Sequence, residues 1–524
     1  MVVPELRPWQ AARPRLARVA NAVRPRLARA RAAAAPRVAR WASAAKPQVG
    51  KVMGAKPWPY TAVAATAGLV LAAGVVTATG PWDSSGQRTA ERDRAAAQQD
   101  TGGTDHGADP GMAGAPKPAP SAASVLTGLD GATNLVKSAP NSKALAGVLD
   151  PLLADPALGS RRTAVVVDLA TGKRLYGRGA DEALTPASTT KIATAVAALS
   201  ALGADHRLTT RTVYEPDTKE LVLVGGGDPT LTAHEDSAGQ ASLRTLAART
   251  AAALKGEVRE VTLSYDTTLY AGSELHPIGV NDNIAAVSAL MVDEARTDGS
   301  TSGPVRRVPD PAADATRRFA EFLNEHGIRT TSPGPSKATE RAQPLAKVQS
   351  PPLSALVERM MTNSDNDIAE ALARHTALAT GERADFAGAG RAIQAQLKKL
   401  GLPLKGARFE DGSGLDRDGR LTANLLSRLL LQAADPSRPE LRPTLTGLPV
   451  AGFTGTLTGR YADGAAGIVR AKTGTLTGVN ALAGTAVTRD GHVLGFAFLA
   501  SETTDVTAAQ RALDRAATAL TTSR

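Results

Sequence analysis

A serine followed three residues later by a lysine, Pro186-Ala187-Ser188-Thr189-Thr190-Lys191, runs straight into a largely apolar stretch, Ile192-Ala193-Thr194-Ala195-Val196-Ala197-Ala198-Leu199. Residues at i and i+3 share one face of a helix. A helix starting near Ser188 therefore sets a hydroxyl beside an amine, at the helix end where backbone N–H groups lack partners. That pairs a nucleophile with a base at a positive helix end. It also commits the chain to a buried helix that begins at a chemical site. The pattern alone is weak, since about one to two such pairs arise by chance in a chain this long. A second copy, Ser43-Ala44-Ala45-Lys46, is present.

Charge separates the two copies. The chain of 524 residues has a formal net charge of +11. Residues 1–57 hold thirteen Arg and Lys against the single acid Glu5, which is +12, so the other residues sum to about −1. A basic excess confined to one arm, with a neutral remainder, argues against nucleic acid as a partner. The arm repeats Arg13-Pro14-Arg15-Leu16-Ala17-Arg18 as Arg24-Pro25-Arg26-Leu27-Ala28-Arg29, and its prolines interrupt helices. We expect a basic disordered cytoplasmic arm over 1–57 that can meet anionic lipid head groups. Residues 61–80 carry no charge and would span about 30 Å as a helix, one bilayer core. Trp58, Tyr60 and Trp82 flank them. This predicts a transmembrane anchor over 58–82, with a single-pass cell-membrane location and the following residues outside. A signal cleaved after Val76-Thr77-Ala78 is the competing reading. Residues 83–144 have the composition of an extracytoplasmic linker.

The absence of cysteine excludes disulfides, zinc–thiolate sites and thiol catalysis. The seven histidines show no metal-ligand spacing and read as surface or loop residues. No cofactor and no metal is called for.

From residue 145 the periodicities alternate. A short helix is expected within 145–158 and a hairpin over 163–168 and 174–176. The helix of 188–202 follows, then a buried strand, 221–224, running into Gly225-Gly226-Gly227-Asp228-Pro229-Thr230. Helices are expected at 243–254, 312–326, 353–378, 389–400 and 506–520. Strands are expected at 258–264 and 467–472, and a second hairpin at 482–488 and 493–501 on Arg489-Asp490-Gly491.

Two further motifs follow the first in order: Ser364-Asp365-Asn366, inside a helical region, and Lys472-Thr473-Gly474, ending a strand. The three together fit a serine acyltransferase that penicillin would also acylate. If Ser188 attacks a carbonyl, Lys191 must be neutral to take its proton. Burial lowers a lysine pKa, and a second cation nearby lowers it more; Lys472 is that cation if its strand lies beside the helix. Asn366 has the donors and acceptors to orient Lys191 and a substrate amide. Lys472 and Thr473 suit a terminal carboxylate. The competing structural readings are a helix N-cap for Ser188, a turn for 363–366 and a strand end for 472–474. The triple glycine lacks the ending of a phosphate loop and reads as a turn. Ser413, in Asp411-Gly412-Ser413-Gly414-Leu415, is no nucleophile elbow and suits a conformational role at the rim of the site.

With these motifs, and with Gly455-Thr456-Leu457 and Thr475-Leu476 extending them, the chain from about 145 to 524 resembles the D-alanyl-D-alanine carboxypeptidase/endopeptidase family, the class C low-molecular-mass penicillin-binding proteins. The resemblance implies an α/β fold like that of the penicillin-binding proteins and serine β-lactamases, an antiparallel sheet flanked by helices. It implies a serine DD-peptidase acting on peptidoglycan stem peptides through an acyl-serine, with β-lactams as covalent inhibitors. Catalytic residues would be Ser188, Lys191, Ser364 and Asn366, with Ser364 relaying a proton to the leaving amine. Substrate would be held by Lys472, Thr473, Gly474 and Thr475, and the oxyanion hole would be the backbone N–H groups of Ser188 and Thr475. Residues 265–292 resemble the family's inserted region, whereas 293–309 is very short where many relatives carry another domain. We therefore expect a catalytic domain from 145–206 plus 346–524 and one inserted domain, 207–345. The alternatives are a serine β-lactamase, which usually needs a Glu-x-x-x-Asn loop not found in 192–363, and a non-catalytic wall-binding protein of the same fold.

Overall fold

The computed structural model describes residues 141–254, 256–461 and 464–523. The arm expected at 1–57, the span at 58–82 and the linker up to 140 lie outside them. Helix α1, Ser142–Leu153, begins inside the stretch expected to be linker, because Asn141 caps it by accepting the Lys143 N–H at 2.9 Å.

Strands β1 (Arg161–Asp168) and β2 (Arg174–Arg178) form the first expected hairpin. Its turn is held by Asp168, whose Oδ1 accepts the Thr171 N–H at 2.8 Å. After the short β3 (Ala183–Leu184) comes helix α2, Thr190–Leu202. Its residues from Thr190 to Leu199 are all buried, so it is a core helix rather than an amphipathic one.

Five strands then build a second sheet: β4 (Thr209–Glu215), β5 (Glu220–Val224), β6 (Glu260–Asp266), β7 (Arg329–Pro335) and β8 (Gln343–Gln349), in the order β7-β6-β5-β4-β8. The β5–β6 and β6–β7 pairs are parallel. Parallel neighbours need crossovers, and helices α3 (Leu243–Ala253) and α4 (Pro311–Glu325) supply them. Leu221, Leu223, Leu246, Phe319 and Leu323 share the apolar core between helices and sheet.

The region read as one helical stretch over 353–378 is two helices, α5 (Leu353–Asn363) and α6 (Asn366–Thr380). The break lies at Ser364, whose φ of 58° is left-handed, and at Asp365, whose side chain caps α6 by accepting the Ile368 N–H at 3.0 Å. Helix α7 (Phe386–Lys399), the short β9 (Leu421–Thr422), helix α8 (Ala423–Ala434) and the single turn α9 (Pro443–Thr446) follow.

Strands β10 (Val469–Leu476), β11 (Val479–Val487) and β12 (Val493–Ser501) complete the first sheet, ordered β10-β11-β12-β1-β2 and antiparallel throughout. Successive side chains of a strand point to opposite faces. Val165 and Val167 thus join the core under α2 and α8. Ala164 and Val166 join the core on the other face, under α1 and α10 (Val506–Thr522). Cover on both faces explains why these strands read as continuous apolar runs.

The single-pass membrane location must be corrected. Among the described residues no helix is long and apolar enough to cross a membrane. The longest, α10, has 17 residues and carries Arg511, Asp514 and Arg515.

Candidate active site

Ser188 lies in a tight turn, Ala187–Thr189, that leads into α2. Neither this turn nor α2 has a side-chain N-cap, so the capping alternative for Ser188 does not hold. Lys191, fully buried one turn on, has three partners: Ser188 Oγ at 3.0 Å, Asn366 Oδ1 at 2.6 Å and the Ser413 carbonyl at 2.8 Å. A neutral amine has two N–H donors and one lone pair. Protonated, Lys191 donates to all three; once neutral, it can keep Asn366 and Ser413 as acceptors and turn its lone pair to the Ser188 hydroxyl. Burial brings the Lys191 pKa down to about 8, while the carboxylates of Asp411 and Glu370 hold it from falling further.

Ser364 is brought to the other lysine. Lys472, with no exposed surface, donates to Ser364 Oγ at 2.9 Å and to the Thr473 carbonyl at 2.8 Å. Its pKa is pushed well below the usual lysine value by burial and then by repulsion from Lys191. Repulsion between the two amines acts on the pair, and burial is the first cause of the lowering at both. Gly474 lets the strand come this close: a Cβ there would lie 2.7 Å from the Pro186 carbonyl oxygen. Thr473 Oγ1 meets Thr456 Oγ1 at 3.0 Å, which gives the Gly455-Thr456-Leu457 motif its place. Ser188, Ser364, Asn366, Thr473 and Thr475 line one cavity of about 370 Å³.

Several contributors were not foreseen. Ser413 is not at a rim; it is wholly buried beneath Lys191 and contributes its carbonyl. The loop that carries it is wound around two carboxylates. Asp411 accepts the Gly414 N–H at 2.7 Å, the Asp416 N–H at 2.8 Å and the Ser413 hydroxyl at 3.0 Å. Glu370 accepts the Ser413 N–H at 2.8 Å. His276, read as a surface or loop residue, is buried, and its Nε2 lies 3.0 Å from Asp411 Oδ2. Burial opposes charge on His276, but the hydrogen bond to Asp411 and the nearby carboxylates raise its pKa overall. His276, Glu370 and Asp411 could hold a metal ion by spacing, as could Glu294, Asp365 and Asp367. Asp411 and Glu370, however, spend their oxygens on the loop's own donors. His375 is buried as well. The triple glycine serves close packing: a Cβ on Gly226 would lie 2.0 Å from the Thr209 carbonyl oxygen.

Residues 145–301 and 295–520 match the D-Ala-D-Ala carboxypeptidase 3 (S13) family. A carboxypeptidase of Mycobacterium tuberculosis is 36% identical over 404 residues, which cover 74% of this chain and 86% of that protein. The chain belongs to the S13 family. The carboxypeptidase DacB of Mycolicibacterium smegmatis is 38% identical, with 69% and 81% covered. Penicillin-binding protein 4 of Haemophilus influenzae superposes with a TM-score of 0.58 at 21% identity, over 72% of this chain and 98% of that one. As an S13 enzyme the chain is a serine DD-peptidase, a hydrolase of the penicillin-binding class acting on peptidoglycan. Its fold is the expected one, an antiparallel sheet flanked by helices, shared with that structure.

Proposed function

We propose that Ser188 is the nucleophile of this DD-peptidase, that Lys191 is its base, and that Ser364 with Lys472 returns the proton to the departing amine. The observation that carries this reading is the threefold hydrogen bonding of the buried Lys191 to Ser188, Asn366 and Ser413. Ser188 Oγ adds to the carbonyl of the penultimate D-alanine, and its proton passes to the Lys191 lone pair. The oxyanion takes the backbone N–H groups of Ser188 and Thr475, one such donor being worth about 3 kcal/mol. The C–N bond then breaks, the amine collects a proton through Ser364, and D-alanine leaves an acyl-serine that water hydrolyses. Thr473 and Thr475 hold the substrate carboxylate, with Lys472 beneath them. Asn366, fixed by Nδ2 donation to the Asn283 carbonyl at 2.9 Å, orients Lys191 and the acyl-side amide. A β-lactam follows the same first step, but its amine stays tethered and the acyl-enzyme persists.

We also propose that 145–206 plus 346–524 form the catalytic domain and 207–345 an inserted one. A sheet and an apolar core built mainly from the second segment support this, with β8 carrying both on to Gln349.

Labelling with a fluorescent penicillin tests the assignment. Wild type should give a stable adduct and release D-alanine from a pentapeptide muropeptide, and Ser188→Ala should do neither. An adduct on Ser188→Ala of normal yield would remove Ser188 from its role.

A further inference from the structure

The loop 296–307 lies where the resemblance leads one to expect a whole domain, and it borders the cavity. Its base is closed by an Arg296–Arg307 bridge and by the Thr297 N–H on the Arg306 carbonyl at 3.2 Å. Arg296 braces it from inside, donating to Ser300 Oγ and to the Gly303 carbonyl, both at 3.0 Å. The base is pinned to the two helices that carry Ser364 and Asn366. Arg359 of α5 binds the buried Glu294 and reaches the Thr301 carbonyl at 3.4 Å. Arg307 pairs with Asp367 of α6 at 2.9 Å. The turn at the base, Asp293–Ala295, holds three residues in left-handed backbone, φ 52°, 53° and 53°. It is docked on the triple-glycine segment, with the Glu294 N–H on the Pro229 carbonyl at 3.0 Å and the Asp293 N–H on the Leu231 carbonyl at 2.8 Å. The loop is therefore a braced wall, fastened at both ends.

Its tip, Ser302-Gly303-Pro304, lines the cavity together with Asn363, Ser364 and Thr473. In the mechanism above, Ser364 and Thr473 attend the departing amine and its carboxylate. We propose that this wall closes the leaving-group half of the site and favours a departing amine of one residue over one that belongs to a cross-linked stem peptide. The inference rests on the DD-peptidase reading and adds to it the residues that set exo- over endo-cleavage. In both substrates the scissile C–N bond and the acyl half are the same. Only the bulk beyond the departing amine differs, and that bulk must pass the tip.

The experiment uses the full chain and two muropeptide donors with identical acyl halves, one ending in D-Ala-D-Ala, the other joined through the same D-alanine carbonyl to a second stem. Removal of 299–303 should raise the ratio of cross-link cleavage to D-alanine release about fivefold or more, with penicillin acylation unchanged. A smaller rise, with acylation intact, overturns the proposal. If the shortened loop impairs acylation, Ser302→Trp decides: bulk at the tip should lower kcat/KM for D-alanine release about fivefold or more through KM. A smaller effect again overturns it. Failure of the underlying DD-peptidase reading looks different, because wild type would then neither be acylated nor release D-alanine.

Discussion

Lys191 carries the pH dependence of this site. It acts as a base only when neutral, and its pKa of about 8 makes that form the minority below this pH. Penicillin acylation should therefore fall about tenfold per unit of acidification below roughly pH 8, with substrate binding retained. Acylation kinetics across the range test this; a flat profile would refute it. The sign for stability is the same. The folded value lies below the ordinary 10.5, so the unfolded chain binds more protons between the two and Lys191 favours the native state increasingly as pH rises through that window. Lys191→Met, which keeps the bulk but removes the base, should cost about 10² to 10⁴ in acylation rate. The residues of the three motifs were legible in the sequence because each motif is local: a hydroxyl, an amide and an amine at set offsets keep their chemistry whatever the fold. The carboxylates that keep the Lys191 pKa from falling further were not legible, because Asp411 and Glu370 lie far along the chain from Lys191.

At the scale of elements, close approach decides. Strand β10 sits against the Ser188 turn with room for hydrogen only, since a Cβ on Gly474 would meet the Pro186 carbonyl oxygen at 2.7 Å. Gly474→Ala should push the strand outward and slow acylation by about tenfold or more while thermal stability falls little, because the strand keeps its pairing with β11. Comparing acylation rates with melting curves separates the two effects; equal loss of both would contradict the assignment. The strands and most helices could be read from periodicity and turn residues, as with the hairpin on Arg489-Asp490-Gly491 between β11 and β12. The break between α5 and α6 could be read only as the competing turn at 363–366, which Asp365 completes as the cap of α6. The Ser364 hydroxyl accepts from Lys472, 108 residues away, and no local pattern marks that partner.

Across the whole molecule, His276 joins the region of the second sheet to the loop beneath Lys191. Its side chain has no exposed surface and that of Asp411 is 3% exposed, so His276→Leu leaves a buried carboxylate without its partner. About 3 kcal/mol of stability should be lost. The sign with pH follows from the raised His276 pKa: its contribution is full below the ordinary 6.5 and is lost as pH rises through the raised value. The gap between the melting curves of both proteins should therefore narrow at alkaline pH without closing, since the neutral ring still serves Asp411, and a gap that persists unchanged there would contradict the account.

The first sheet also dictates when the enzyme can exist. Strand β1 has β12 as one neighbour, in a register that sets Arg161 opposite Ser501. Pairings this distant in sequence are closed late and slowly. The strand that opens the sheet must wait for nearly all of the chain behind it to be made. Until residue 501 is made, β1 lacks this neighbour over its full length and the sheet behind the active-site helix is incomplete.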